Sequence, residues 1–284
     1  MGTEYLFCPS PLKSKNVMLR ILYIFLLFCL GYCSSHNEKK HQVTSKSLEN
    51  EEPETEALAE QQQNKGGNTV ESRFPPPEGF QRVQVKSESF KAYLRQLSLK
   101  PKGSKVNYYD GNTKPSRNIY LAVANQEIGN KNLHQCADAI IRLRADFLWK
   151  QKRYEHIQFD LTNGFTARYS KWMNGERLAV NGNKTYWVKK TEASNSYDDF
   201  WEYLEMIFMY AGTASLEKEL VAKTPAQIEI GDVFLQGGFP GHAILVVDKV
   251  RHIRTGETRI MLGQSYMPAQ QFQILANTND VRTP

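Results

Sequence analysis

Three residues of this 284-residue chain, Cys136, His242 and Gln264, have the types and order that acyl chemistry on sulfur requires. A thiolate attacks carbonyl carbon readily, and it is produced by a lowered thiol pKa or by a neighbouring base. Cys136 falls in the first turn of the strongest helical pattern, where backbone N–H groups and the helix dipole favour negative charge. His242 opens an apolar run after the loop Gly237-Gly238-Phe239-Pro240-Gly241, which predicts a ring held on rigid backbone near a strand end. Gln264 closes the following strand-like run, next to Gly263, and would neighbour His242 across a sheet, where its amide would orient the imidazole. Gln135 beside the nucleophile is a candidate oxyanion donor, Arg144 (with Arg142) a candidate for a substrate carboxylate, and Trp172 (with Tyr169 and Trp187) a candidate stacking surface. Each has a plainer reading. Cys136 lies on an apolar stripe, and free cysteine is commonly buried. His242 and Gln264 can simply satisfy backbone, the arginines can line a solvated helix face, and the aromatics can pack in the core.

The elements that must position these residues are mixed. Ser87 reads as the cap of a helix with Phe90, Tyr93, Leu94 and Leu97 on one face. Residues 106–109 read as a strand before the turn Asp110-Gly111-Asn112, and residues 119–124 as another strand. Residues 132–152 form the clearest helix, with Asn132 and Gln135 at N-cap and N3 spacing and an apolar stripe of Leu133, Cys136, Ile140, Leu143 and Phe147. His134 then falls on its solvent-facing first turn. Residues 156–161 look extended before Asn163-Gly164, and residues 185–189 form a strand holding Trp187. Residues 197–220 read as a second long helix opened by Asp198 and Asp199. Three strands follow, at 232–235, 242–248 and 258–262. The fold class is α+β.

A cysteine at a helix start, then a histidine on a strand, then a polar residue on the next strand resembles papain-like peptidases, particularly the NlpC-type and CHAP-type cell-wall amidases and endopeptidases. Gly231-Asp232-Val233-Phe234 followed by Gly241-His242-Ala243 is similar to their paired strand motifs. The segment Gln135-Cys136-Ala137-Asp138 and the 106-residue gap to His242 depart from them. The resemblance implies a helix packed on an antiparallel sheet, with Cys136 as nucleophile, His242 as base and Gln264 as orienter. A second resemblance spans roughly residues 73–277. Phe74-Pro75-Pro76-Pro77-Glu78-Gly79-Phe80, Tyr169-Ser170-Lys171-Trp172, Phe208-Met209-Tyr210-Ala211-Gly212-Thr213 and Gln264-Ser265-Tyr266-Met267-Pro268 resemble the uncharacterised envelope lipoproteins grouped as domain of unknown function 4846. That likeness implies export and a single domain, and brings no assigned activity.

The rest of the chain points to the cell envelope. Residues 21–30 (ILYIFLLFCL) follow Lys13, Lys15 and Arg20, as in a signal peptide whose apolar run is too short to span a bilayer. Leu30-Gly31-Tyr32-Cys33 resembles a lipobox with Cys33 as the lipidated residue, although Tyr32 stands where a small residue is usual. Met18 offers an alternative start. Residues 1–33 are thus read as the leader, 34–72 as a disordered polar tether, and 73–284 as one globular domain. Cleavage before Cys33 removes Cys8 and Cys29, so Cys136 stays as a lone thiol with no disulfide partner. A mean hydropathy of −0.53 argues against several membrane spans. Residues 1–33 hold three basic residues and one acidic, and 34–72 hold four and eight, so 73–284 keep 29 of the 36 basic and 21 of the 30 acidic residues, a net +8. Such a domain suits anionic envelope polymers or cell-wall peptide carboxylates, with the membrane met through the lipid anchor. Nucleic-acid motifs are missing, as are HExxH and CxxC, and His156 and His252 have no partner at ligand spacing, so neither nucleic acid, metal nor cofactor is expected. Two functions stay open: a cysteine hydrolase acting on amides, with peptidoglycan peptides as the expected substrates, and a non-catalytic binding lipoprotein.

Overall fold

A computed structural model of the chain describes residues 68–115 and 118–284. The leader, Cys33 and residues 34–67 of the tether lie outside the described residues. Residues 68–72 are folded. Thr69 caps helix α1 (Val70–Arg73) by accepting the Ser72 N–H at 3.2 Å, and it bridges to Ser98. Val70 is completely buried. The folded region therefore starts before Arg73, because one apolar side chain in a polar stretch reaches the core.

In chain order the remaining elements are β1 (Phe80–Arg82), α2 (Phe90–Arg95), β2 (Tyr120–Val123), α3 (Cys136–Lys150), β3 (Gln158–Asp160), β4 (Thr166–Arg168), α4 (Tyr169–Met173), β5 (Glu176–Asn181), β6 (Lys184–Lys189), α5 (Tyr197–Tyr210), α6 (Thr213–Glu219), β7 (Val233–Gln236), β8 (His242–His252), β9 (Thr258–Gln264) and β10 (Gln273–Leu275). The class is α+β. A six-stranded antiparallel sheet runs β1-β8-β9-β10-β2, and β7 pairs with the start of β8. Hairpins β3-β4 and β5-β6 stand apart from it.

Helix α3 packs against β8 and β9. Its Ile140, Ile141, Leu143 and Leu148 join Leu245 and Val247 of β8 in the core. Each such side chain contributes about 1.5–3 kcal/mol on leaving water, so the face that carries Cys136 is fixed against the strand that carries His242.

Local chemistry moved several boundaries. Helix α2 is capped by Ser89, whose hydroxyl accepts the Ala92 N–H at 3.2 Å, and not by Ser87. Helix α3 starts at Cys136 because the Asp138 carboxylate accepts the Gln135 N–H at 2.9 Å, making Gln135 the N-cap and leaving Asn132 in the preceding turn. The single helix expected over 197–220 is two, α5 and α6. At the break the Ser215 hydroxyl accepts from Gly212 N–H at 3.1 Å and donates to Gly212 C=O at 3.0 Å, so a side chain takes over backbone bonding that a helix would need. Residues 106–109 make only isolated bridges, Asn107 to Thr113 and Tyr108 to Gln270, around the expected turn at Gly111 (φ 84°).

Candidate active site

The pairing of Leu245 with Gly263, continued past the end of β9, sets His242 opposite Tyr266 and diagonal to Gln264 on one face of the sheet. The side chains follow that register. His242 Nε2 lies 2.7 Å from Gln264 Oε1, and the His242 and Tyr266 rings meet edge-to-face at 5.0 Å. With an amide oxygen as acceptor, Nε2 carries the proton, and Nδ1 is the basic nitrogen of the neutral ring. Cys136 is the first residue of α3, and the backbone of Ala243, at the start of β8, lies near enough to favour its thiolate, as do the amides of Ala137 and of Cys136 itself. The thiol is thus near the backbone of the residue that follows His242, and Gln264 meets the His242 ring.

Electrostatics differ from the expectation of a lowered thiol pKa. Burial, with Cys136 only 7% exposed, pushes the thiol up and outweighs the backbone of Ala243, Ala137 and Cys136 itself. Asp138 also raises it. That carboxyl is itself buried and is pushed up to about 7 by desolvation. Burial holds His242 below its usual value, against an opposing pull from the Gln264 hydrogen bond. The resting pair is therefore a neutral thiol and a neutral imidazole. Such a pair suits general-base removal of the thiol proton in the transition state, with no preformed thiolate.

Two supports hold the constellation. The turn before α3 is stitched to the segment after β9: Ala269 N–H donates to Asn132 Oδ1 at 2.7 Å, Gln270 N–H to His134 C=O at 3.3 Å, and Ser265 Oγ lies 3.1 Å from that same carbonyl and 2.7 Å from Gln270 C=O. Helix α6 clamps the glycine loop ahead of His242, with the Thr213 hydroxyl donating to Gly238 C=O at 3.2 Å. A side chain at Gly241 would bring its Cβ to 2.1 Å from Thr213 Oγ1 and 2.4 Å from the Gly238 carbonyl oxygen, which explains why glycine stands there.

The other candidates fall elsewhere. Trp172 and Tyr169 are core residues; the Arg177 guanidinium covers the Trp172 ring at 4.1 Å, leaving no stacking face for a ligand. Trp187 packs beside Phe165. The Arg144 guanidinium lies over the Phe90 and Phe147 rings at 5.3 and 5.4 Å, and Arg142 is buried with Asp146 and the Glu127 carbonyl. Gln135 is half-buried next to the thiol, its amide 3.4 Å from Asn132. His134 is buried, not solvent-facing; its Nδ1 sits 3.2 Å from Gln270 C=O, and desolvation lowers it to about 3. Among the described residues no three His, Cys, Asp or Glu side chains stand together as a metal site.

Sequence reasoning missed Tyr266 against His242, the Ala243 backbone near the thiol, and the effect of Asp138 on it. Only Tyr266 had a signal, two residues beyond Gln264 and so on the same face.

Fold and site define an α+β domain that carries a helix-start cysteine and a histidine–glutamine pair. The chain belongs to the family described as domain of unknown function (4846), which it matches over residues 70–284. No curated protein and no solved structure matches it.

The role of Gln264 can be read without a substrate. Because its hydrogen bond favours the charged ring, Gln264→Ala is expected to move the His242 titration to still lower pH, by up to about one unit for a bond worth about 1 kcal/mol. NMR titration of the imidazole C–H signals checks this, and an unchanged midpoint would show that the amide does not set the ring's basicity.

Proposed function

We propose that the protein is an exported, lipid-anchored cysteine hydrolase of papain-like arrangement that cleaves amide bonds in cell-wall peptides. The observation carrying this reading is the 2.7 Å contact of His242 Nε2 with Gln264 Oε1, with the Cys136 thiol near the backbone of Ala243, the residue after His242. In the reaction Cys136 attacks the amide carbonyl while His242 Nδ1 takes the thiol proton. The tetrahedral oxyanion collapses, the C–N bond breaks, and the imidazolium returns the proton to the departing amine. Water, deprotonated by the same nitrogen, then attacks the thioester and releases the acid and the free thiol. Backbone N–H groups around the start of α3, with the Gln135 amide, are the donors available to the oxyanion. The apolar rim is supplied by Phe239, 97% exposed at the tip of the loop before His242, and by Met267 beyond Tyr266.

Localisation rests on the leader pattern and on Cys33. No helix among the described residues is long and apolar enough to cross a membrane, so the proposed attachment is the lipid. One observation favours the second reading, a non-catalytic binding lipoprotein: the thiol is 7% exposed and its pKa is raised.

The deciding experiment incubates the full-length protein and Cys136→Ala with muropeptides and follows new amines and carboxylates by mass spectrometry. Cleavage by the wild type that disappears in Cys136→Ala is expected. Equal products from both, or none from either, combined with iodoacetamide labelling of Cys136 only after denaturation, would turn the assignment to the binding reading.

A further inference from the structure

Lys114 stands on the flank of this site with no carboxylate beside it among the described residues. The loop that carries it is closed by Lys114 N–H donating to Val106 C=O at 2.8 Å and fastened to the segment after β9 by Tyr109 N–H to Ala269 C=O at 2.9 Å and Gln271 N–H to Asn107 C=O at 3.1 Å. Its ammonium donates to Gln270 Oε1 at 2.8 Å and lies 5.9 Å from the centre of the Tyr266 ring, whose edge-to-face partner is His242 at 5.0 Å. Gln270 is 1% exposed, its amide held by donation to Pro268 C=O at 3.1 Å and its main chain tied to the turn before Cys136. The lysine is thus aimed by a rigid, neutral acceptor and an aromatic face, and no carboxylate among the described residues pairs with it. A half-buried cation with only neutral partners gives up hydration without receiving a counter-charge. Burial accordingly pushes Lys114 down to about 8, which still leaves it mostly charged at pH 7.

We propose that Lys114 is the specificity-determining cation of the Cys136–His242 site, taking a substrate carboxylate that lies close to the scissile amide. The proposal rests on the hydrolase reading for the word scissile, whereas the carboxylate contact itself would equally serve a binding protein. The chemistry selects a peptide with an unamidated carboxyl group one or two ring contacts from the attacked carbonyl, and it disfavours the same peptide with that group as an amide. Tyr266 touches both groups, its ring centre 5.9 Å from the ammonium and edge-to-face with the imidazole at 5.0 Å, and so relates their positions.

The test compares a muropeptide mixture with the same mixture after carbodiimide-mediated amidation of its carboxylates, using the full-length protein. The first readout is protection: Lys114 acetylation by a low dose of an N-hydroxysuccinimide ester at pH 8, quantified by peptide mapping. Native muropeptides are expected to slow acetylation of Lys114 at least about tenfold more than amidated ones, the size of one charge-assisted hydrogen bond. The second readout is turnover. Lys114→Met should raise KM for native peptides about tenfold to a hundredfold, leave kcat within about twofold and leave amidated peptides unaffected; Lys114→Arg should restore the preference. Equal protection by both mixtures, or no protection by either, overturns the role of Lys114 even if hydrolysis is seen. Protection by the native mixture without any turnover keeps the carboxylate site and sinks only the hydrolase reading.

Discussion

His242→Ala is expected to slow amide cleavage by roughly 10²- to 10⁴-fold, the usual worth of a positioned general base. The effect should be this large because the thiol starts neutral: burial and Asp138 hold its pKa up, so almost none is ionised at pH 7 without help. An enzyme with a preformed thiolate would lose less. Two further outcomes separate a base from a merely structural histidine. The double variant Cys136→Ala/His242→Ala should be no slower than Cys136→Ala alone, since nucleophile and base act as a unit. The kcat/KM profile should rise with pH as the ring loses its proton, with a midpoint below the ordinary histidine value of 6.5, because burial favours the neutral ring. A midpoint above 6.5 would mean an ion-paired imidazolium. A plus-or-minus twofold effect of His242→Ala would place the base elsewhere or end the hydrolase reading.

What the sequence made legible follows from how local each signal is. The order Cys136, His242, Gln264 could be read because it needs only a helix start, a strand start and the end of the next strand, all marked by periodicity. The register then does the rest, since strand side chains repeat every two residues. Trp172 and Arg144 could not be sorted the same way. Their exposure depends on Arg177 reaching over from β5 and on Phe90 arriving from α2, and no local pattern encodes either contact. The two readings of the thiol divide along the same line: the helix-start effect is local and legible, whereas the burial that overrides it comes from the assembled fold. His134 failed likewise, because it was read on the first turn of a helix that actually begins two residues later. Lys114 had no signal at all. Its meaning comes from having the neutral Gln270 and Tyr266, and no carboxylate, beside it among the described residues, which only three-dimensional packing reveals.

Asp248 carries the largest expected effect on stability. Its carboxylate is almost wholly buried beside the irregularity in β8 and accepts from Arg82 Nε at 2.8 Å, Arg95 Nε at 2.7 Å and the Lys249 N–H at 2.8 Å. The two guanidiniums carry the contact outward: Arg95 to Val83 C=O at 2.8 Å, and Arg82 to Glu71 C=O at 3.0 Å and Phe74 C=O at 2.6 Å. One anion therefore joins α1, the chain around β1, and α2 to the strand that begins with His242. Asp248→Ala would strand two largely buried cations, and removing one member of such a cluster costs about 3–5 kcal/mol. Asp248→Asn keeps the shape but not the charge and should lose less than Asp248→Ala. Urea unfolding of the folded domain checks both, with the midpoint falling and the slope preserved. A loss under about 1 kcal/mol would mean that water reaches the guanidiniums and that the cluster is a surface ion pair in energetic terms. Because Asp248 lies six residues along β8 from His242 and touches none of the site, the fraction of Asp248→Asn that remains folded should keep the wild-type imidazole titration. Loss of that titration in folded protein would show instead that the cluster at one end of β8 sets the geometry at the other.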